Sequence, residues 1–276
     1  MKLSVIGLGL MGGSMALSLK SVYKDWQIIG YDHSQSHKEE ALRLNLVDKV
    51  AETFEEVKNS DIIILAIPVE GIINALQNLS DIDKNVTIID LGSTKEKIIK
   101  NTPPTIRKNL VAAHPMAGTE NTGPKAAFDS LYQDKVVVLC DIEDSGKHQR
   151  MIAEDIFKKL RMQIVYMNSK EHDLHAAYIS HLPHAISFSL ANSVLKQEDP
   201  KSILALAGGG FKSMSRIAKS SPVMWSDIFK QNRKNLLKTL DTFQNELDYM
   251  KDLIENEKWE DLQEWMKKAN SLHDIL

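Results

Sequence analysis

Over the first 167 residues, short apolar runs rich in β-branched side chains alternate with stretches whose apolar positions recur at helical spacing. The runs fall at 3–6, 27–31, 61–67, 86–91, 110–113, 135–140 and 163–166. Their length and lack of polar alternation predict strands buried on both faces. Between them, 34–44 and 53–59 read as polar-faced helices, so this part is expected to be an α/β layer with a mostly parallel sheet. After about residue 168 no such run recurs and helical spacing continues to the end. Pro183, Gly208 to Gly210, and Ser220, Ser221 and Pro222 punctuate this region into several helices. The longest should begin near Ser226, whose hydroxyl is placed to cap it. Phe229, Leu236, Phe243 and Met250 repeat every seven residues, with Leu240, Leu247 and Ile254 as a companion row. Such a seam suits either the inside of a helical domain or a subunit interface. In a helical region of only ~110 residues it favours a dimer. Two domains are therefore expected, 1–167 and 168–276.

The stretch KLSVIGLGLMGGSMALSL carries the first chemical signal. Gly7, Gly9 and Gly12 make G-x-G-x-x-G between a strand and a helix start. In that pattern the first glycine allows a tight turn, the second a close approach by a pyrophosphate, and the third close helix packing. The phosphates would rest on free N–H groups at the helix start, around Leu10 and Met11. A second apolar strand ends in Asp32, twenty residues after Gly12, where an acid can bond the ribose 2′-hydroxyl of NAD and repel a 2′-phosphate. Pro68 ends the strand DIIILAI, placing Ile67 and Pro68 where a crevice opens at the carboxyl ends of the strands. The uncharged run from Leu3 to Leu19 is 17 residues, short of the ~20 a membrane span needs. As a secretory signal, its removal would delete the first strand.

Composition changes this picture little. The chain of 276 residues is 43% apolar and 26% charged with a net charge of −3, so no basic footprint for nucleic acid is present. Cys140 is the single cysteine, within the apolar run VVVLC, and reads as a small buried hydrophobe. A cytoplasmic protein is expected.

A bound NAD implies hydride transfer and directs attention to groups at strand ends. Ser93 follows the strand VTIIDL; with Glu96 it also fits a capping box, and a cap at a strand end can serve both roles. His114 follows the strand LVAA and opens the loop HPMAGTE, with Thr119 and Glu120 placed to orient it or gate the crevice. An imidazole of ordinary pKa ~6.5 suits a general base near neutrality. His181 and His184 bracket Pro183 on one helical face, but the lone cysteine is far away in a strand and His172 and His175 lie two turns back beyond the bend at Pro183, so no metal is expected. Gly208 to Gly210 precede Arg216, which is either a carboxylate clamp or a solvated side chain.

Taken together, GLGLMGGS (7–14), GYD (30–32), AIPV (66–69), DLGSTK (90–95), AAHPMAGTE (112–120), SHLPHA (180–185), GGGFKSMSRIA (208–218) and PVMW (222–225) resemble the prephenate and arogenate dehydrogenase family. The resemblance implies an N-terminal Rossmann-type domain and an all-helical C-terminal dimerisation domain. It implies that His114 is the catalytic base, that Ser93 holds the substrate hydroxyl against the nicotinamide, and that His184 and Arg216 bind substrate. Gly210, Thr119, Glu120 and Trp225 would complete the substrate site, while Gly7, Gly9, Leu10, Met11, Gly12, Asp32, Ile67, Pro68 and Ser93 would bind NAD. The implied reaction is oxidative decarboxylation of prephenate to 4-hydroxyphenylpyruvate in tyrosine biosynthesis. The family often has an acid three residues before the arginine. Here Ser213 stands there, which puts an ionic gate with Glu120 or Arg216 in question. The length leaves no room for an added regulatory or mutase domain.

Two alternatives stay open at this level. One is arogenate or dual cyclohexadienyl specificity. The other is a non-catalytic NAD sensor, which would leave His114, Ser93 and Arg216 without a task. A β-hydroxyacid dehydrogenase should show a catalytic lysine motif in the helical region, and none is found.

Overall fold

The computed structural model describes residues 1–275. Its single sheet contains β1 (Lys2–Ile6), β2 (Gln27–Tyr31), β3 (Lys49–Val50), β4 (Ile62–Leu65), β5 (Thr87–Asp90), β6 (Leu110–Pro115), β7 (Val136–Cys140) and β8 (Gln163–Met167). The strand order is β3-β2-β1-β4-β5-β6-β7-β8. All neighbours are parallel except β6 and β7, which pair antiparallel with His114 opposite Val138. All seven apolar runs became strands. The two-residue β3 was missed because Lys49 and Val50 are too few to show any periodicity.

Helices α1 (Leu10–Val22), α2 (Gln35–Arg43), α3 (Phe54–Lys58), α4 (Val69–Asn78), α5 (Glu96–Lys100) and α6 (Lys147–Lys159) connect the strands. Side chains alternate across the pleat. Leu3, Val5, Ile62 and Ile64 join Met15, Leu19, Ala153 and Phe157 in one buried cluster, while Ile6, Ile63 and Leu65 join Ile72, Leu76 and Ile98 in the other. Each fully buried Leu, Ile or Phe contributes about 1.5–3 kcal/mol relative to exposure, so the two clusters fix which face each strand residue takes. The expected helices 34–44 and 53–59 appear as α2 and α3. Ser34 accepts from the His37 N–H, and Thr53 with Glu56 forms a capping box.

The order reverses between β1 and β4, which are neighbours in space but not in sequence. That switch point opens a crevice at the carboxyl ends of the strands. Gly7 follows β1, Ile67 follows β4, Ser93 follows β5, and His114 lies at the end of β6.

The helical region begins at Asn168, whose side chain accepts from the Glu171 N–H and caps α7 (Ser169–Ala176). A five-residue π-helical turn, Ala177–His181, then leads into α8 (Leu182–Leu195). Pro183 lies in the first turn of α8, directly after that π turn. After α9 (Pro200–Ala205) and α10 (Gly209–Ser215) comes α11 (Pro222–Gln231), then α12 (Arg233–Glu255) and α13 (Trp259–Asn270). Ser226 does not cap the longest helix. Ser221 caps α11 by accepting from Met224 N–H, Ser226 donates to the Val223 carbonyl inside it, and the longest helix, α12, starts only after Asn232. The seven-residue row is thereby divided between α11 (Phe229) and α12 (Leu236, Phe243, Met250). Leu236 is buried, Phe243 and Met250 are partly buried, and Leu247 and Ile254 are exposed. By internal contacts, residues 1–232 form one compact unit and the chain from Arg233 another.

Candidate active site

The glycine loop is shaped by what a β-carbon would meet. Gly7 adopts φ +93° and donates its N–H to the Tyr31 carbonyl at 2.8 Å. A β-carbon there would lie 2.4 Å from the Ala66 oxygen and 2.6 Å from Ile67 Cγ2, and one at Gly12 would lie 1.8 Å from the Gly7 oxygen. At Gly9 it would meet nothing within 4 Å. Gly7 and Gly12 therefore let β1, β4 and α1 approach each other, and Gly9 leaves open space before the N-terminus of α1, where Leu10 and Met11 begin the helix. This is a cradle that a dinucleotide pyrophosphate fits. The Met11 carbonyl accepts from Tyr132 Oη at 2.7 Å, which fixes the first turn.

Asp32 follows β2. Its Oδ2 accepts from Leu8 N–H at 2.8 Å and its Oδ1 from Ser34 N–H at 2.9 Å, so the carboxylate is aimed at the glycine loop. The His33 and His37 rings lie 3.3 Å from it. Ile67 covers the Gly7 turn, while Pro68 is exposed and precedes α4, whose first N–H, at Val69, donates to Asp227 Oδ2 at 3.1 Å.

His114 is partly buried at the end of β6, and its Nδ1 lies 2.8 Å from His172 Nε2. The two rings meet at 72° with centroids 5.0 Å apart. His172 Nδ1 is in turn 2.8 Å from Asp173 Oδ1. Asp173 is held by the chain itself: Oδ1 accepts from Lys95 N–H at 2.7 Å and Oδ2 from Glu96 N–H at 3.0 Å. This corrects the capping-box reading of Ser93 and Glu96. The helix starts at Glu96, so Ser93 sits before its first turn, and the cap is a carboxylate from α7. Ser93 is left partly buried at the crevice, and its hydroxyl has no protein partner among the described residues.

Beneath the histidines lies a buried ion pair. Lys95 Nζ bonds Asp90 Oδ1 and donates to the Ala113 carbonyl at 2.8 Å, one residue from His114. Burial pushes the Asp90 carboxyl up, opposed mainly by Lys95. Burial holds the His114 pKa well below its ordinary 6.5, and the cationic forms of His172, Lys95 and His181 push the same way. His114 is thus a neutral imidazole at pH 7, ready to accept a proton.

The helical side supplies a second group. The buried His181 Nδ1 lies 3.1 Å from Asn232 Nδ2, which also donates to the Asp173 carbonyl at 2.6 Å. Burial takes the pKa of His181 down to about 4. Trp225 packs edge-on to His181 and stacks on His184 with centroids 3.5 Å apart. The indole N–H of Trp225 is buried without an acceptor among the described residues. His184 Nδ1 lies 2.9 Å from the Ser180 carbonyl, and burial first, then the nearby Arg216 charge, lowers its pKa. Arg216 Nη1 reaches Glu120 Oε2 at 3.2 Å in the loop that follows His114. The pair forms without an acid at position 213. Bonds and ring contacts thus run from His114 through His172, Asp173, Asn232, His181 and Trp225 to His184, whose pKa feels the Arg216 charge, while Arg216 is paired with Glu120 in the loop after His114. Gly210, in the first turn of α10, and the exposed Thr119 lie outside this bonded set.

His172, Asp173, Lys95 and Asn232 escaped sequence reasoning. The adjacent His-Asp pair four residues past the Asn168 cap was the available signal. Its partners lie 58 and 78 residues away in the chain.

A dinucleotide cradle at a sheet switch point, with a neutral imidazole at a neighbouring strand end and an arginine paired to the loop that follows it, defines a nicotinamide-dependent dehydrogenase. Residues 15–166 match the family model described as prephenate dehydrogenase, nucleotide-binding domain, and residues 168–268 match its dimerization domain. The chain belongs to the prephenate dehydrogenase family and is an NAD-dependent oxidoreductase. It is 34% identical to the prephenate dehydrogenase of Bacillus subtilis over 98% of this chain and 74% of that one. It is 32% identical to the cyclohexadienyl dehydrogenase of Zymomonas mobilis, over 97% and 93%. The crystal structure of A. aeolicus prephenate dehydrogenase with hydroxyphenyl propionate and NAD+ superposes with a TM-score of 0.92 at 31% identity, covering 99% and 97% of the two chains.

Proposed function

We propose that this chain oxidises prephenate with NAD and releases 4-hydroxyphenylpyruvate and carbon dioxide, a step of tyrosine biosynthesis. The observation that carries the reading is the neutral, partly buried His114 at the crevice, held on one nitrogen by His172. The glycine loop at Gly7, Gly9 and Gly12 with Leu10 and Met11 would hold the NAD phosphates, Asp32 the adenosine ribose, and Ile67, Pro68 and Ser93 the nicotinamide end. NAD when bound accepts the hydride from the carbinol carbon. His114 takes the hydroxyl proton as the C–O bond becomes a carbonyl. The ring carboxylate then leaves as carbon dioxide, its bonding pair aromatises the ring, and the phenolic oxygen regains a proton. Ser93 aligns the hydroxyl, and Arg216 and His184, with Trp225, Gly210, Thr119 and Glu120 around them, bind the dianionic substrate. Alignment and charge complementarity are the protein's main contributions.

Arogenate or dual specificity is the second reading, favoured by the identity to the Z. mobilis enzyme over nearly its whole length. The structure of Synechocystis arogenate dehydrogenase is also similar, with a TM-score of 0.82 at 28% identity. The two substrates differ by an amine in place of a ketone. Purified protein mixed with NAD and either substrate, followed by reduced-nicotinamide absorbance, decides between them; prephenate is expected to be faster. No turnover of either, with NAD bound, would return the sensor reading. We further propose a cytoplasmic homodimer made by the 168–276 region. Its family model is the dimerization domain, and among the described residues no helix is long and apolar enough to cross a membrane.

A further inference from the structure

We propose that Asp173 and His172 are positioning residues that set the tautomer of His114, leaving its Nε2 as the bare nitrogen that receives the substrate's proton. This rests on the role proposed above for His114.

The argument is one of hydrogen bookkeeping along three groups. A neutral imidazole has one N–H and one lone pair. Both Asp173 oxygens already accept backbone N–H groups, from Lys95 and Glu96, which can only donate. A carboxylate so placed has no hydrogen to offer His172, so the 2.8 Å contact requires the hydrogen on His172 Nδ1. His172 Nε2 then presents a lone pair to His114, and the second 2.8 Å contact requires the hydrogen on His114 Nδ1. His114 Nε2 is left free to accept. The reverse arrangement would set a lone pair of His172 against a carboxylate oxygen at 2.8 Å. The carboxylate cannot turn to relieve this, because both its oxygens are pinned at the start of α5.

The same chain supports the imidazolium that forms when His114 takes the proton. Its Nδ1–H strengthens toward the lone pair of His172 Nε2, whose ring is held from the other side by Asp173. Lys95 faces His114 as well and opposes that charge, although it is engaged by Asp90, and His181, whose pKa burial takes down to about 4, is neutral there. Asp173 is thus the only carboxylate bonded to the histidine pair among the described residues. Its capping bonds make α5 the anchor of the arrangement.

The test combines three variants with nitrogen NMR of the ligand-free protein. Asp173→Asn removes the charge and, with its NH2 in place of Oδ1, gives up the Lys95 N–H bond, donates to His172 Nδ1 and reverses both tautomers; kcat is expected to fall roughly 10²- to 10⁴-fold with little change in KM. His172→Gln keeps an acceptor for His114 Nδ1–H and should retain more activity than His172→Leu, an ordering that loss of packing alone would not produce. In wild-type protein, the ¹⁵N spectrum should show His114 protonated at Nδ1 with an unprotonated Nε2, and in Asp173→Asn the populations should invert. A wild-type His114 protonated at Nε2 overturns the proposal, as does an Asp173→Asn variant with unchanged tautomer and kcat. If Asp173→Asn does not fold, the wild-type spectrum and the Gln-versus-Leu order decide. Failure of wild-type protein to oxidise prephenate or arogenate would remove the functional reading, and the tautomer measurement would still stand or fall separately.

Discussion

Lys95→Met removes the cation from beneath the histidines while roughly keeping the length of the side chain. In the folded protein Lys95 and Asp90 are fully buried; among the described residues Asp90 Oδ1 has only Gly92 N–H, at 2.9 Å, as a further donor, and Oδ2 has none. Breaking a buried pair by taking away one member costs about 3–5 kcal/mol, because the remaining charge has lost its compensation. The sign of the pH dependence identifies the cause. Burial already raises the Asp90 carboxyl, and losing Lys95 raises it further, so the folded variant keeps a proton that the unfolded chain gives up above pH ~4. Stability of the variant must therefore decline as pH rises from 5 to 8, and its deficit against wild type must shrink toward pH 5. Adding Asp90→Asn should recover much of the loss at pH 8. Urea unfolding at pH 5 and 8, read by linear extrapolation, measures all three forms. A deficit under about 1 kcal/mol, or one equal at both pH values, would refute an uncompensated buried charge as its origin.

Activity and cofactor binding supply the remaining predictions. His114→Asn should lower kcat by ~10² or more with a smaller effect on KM, and wild-type turnover by this variant would take the imidazole out of the chemistry. Because burial and cationic neighbours lower the His114 pKa, the acid limb of kcat/KM in wild type should lie below pH 6.5; a limb at or above that value contradicts the geometry. Gly9→Ala places its methyl in open space and should fold normally while weakening NAD binding in titration calorimetry, whereas Gly12→Ala collides with the Gly7 carbonyl and should cost about 1–3 kcal/mol of stability. Equal behaviour of the two variants would defeat the assignment of their roles. Arg216→Ala frees Glu120 and removes a carboxylate partner, so KM should rise more than kcat falls.

Local patterns in the chain foretold most of the sheet, because a parallel strand buried on both faces leaves an uninterrupted apolar run such as Ile62–Leu65. The glycine loop was legible for the same kind of reason, since its demands are met within six residues. His114 was singled out by its place at a strand end and Arg216 by the glycine turn before it, whereas the role expected of His184 came from the family resemblance. What could not be read was convergence. Nothing near Lys95 in sequence shows that its ammonium is enclosed by Asp90 and the Ala113 carbonyl. His172 entered only as a discarded metal partner, because the start of α5 that engages Asp173 lies 78 residues away. Ser226 misled because the Ser221-Pro222 start five residues earlier is equally good chemistry, and Asn232 divides a row that periodicity alone would carry through.

The π-helical turn Ala177–His181 has a bearing on how this protein could vary over time. An α-helix advances about 100° per residue, so a segment that accommodates one extra residue resets the angular phase of everything beyond it. His172 and Asp173 precede the turn and His181 and His184 close or follow it. Removing one residue there would keep every side chain of the cluster in the gene while rotating half of them out of step, so insertions and deletions, rather than substitutions, are the changes this segment can least absorb.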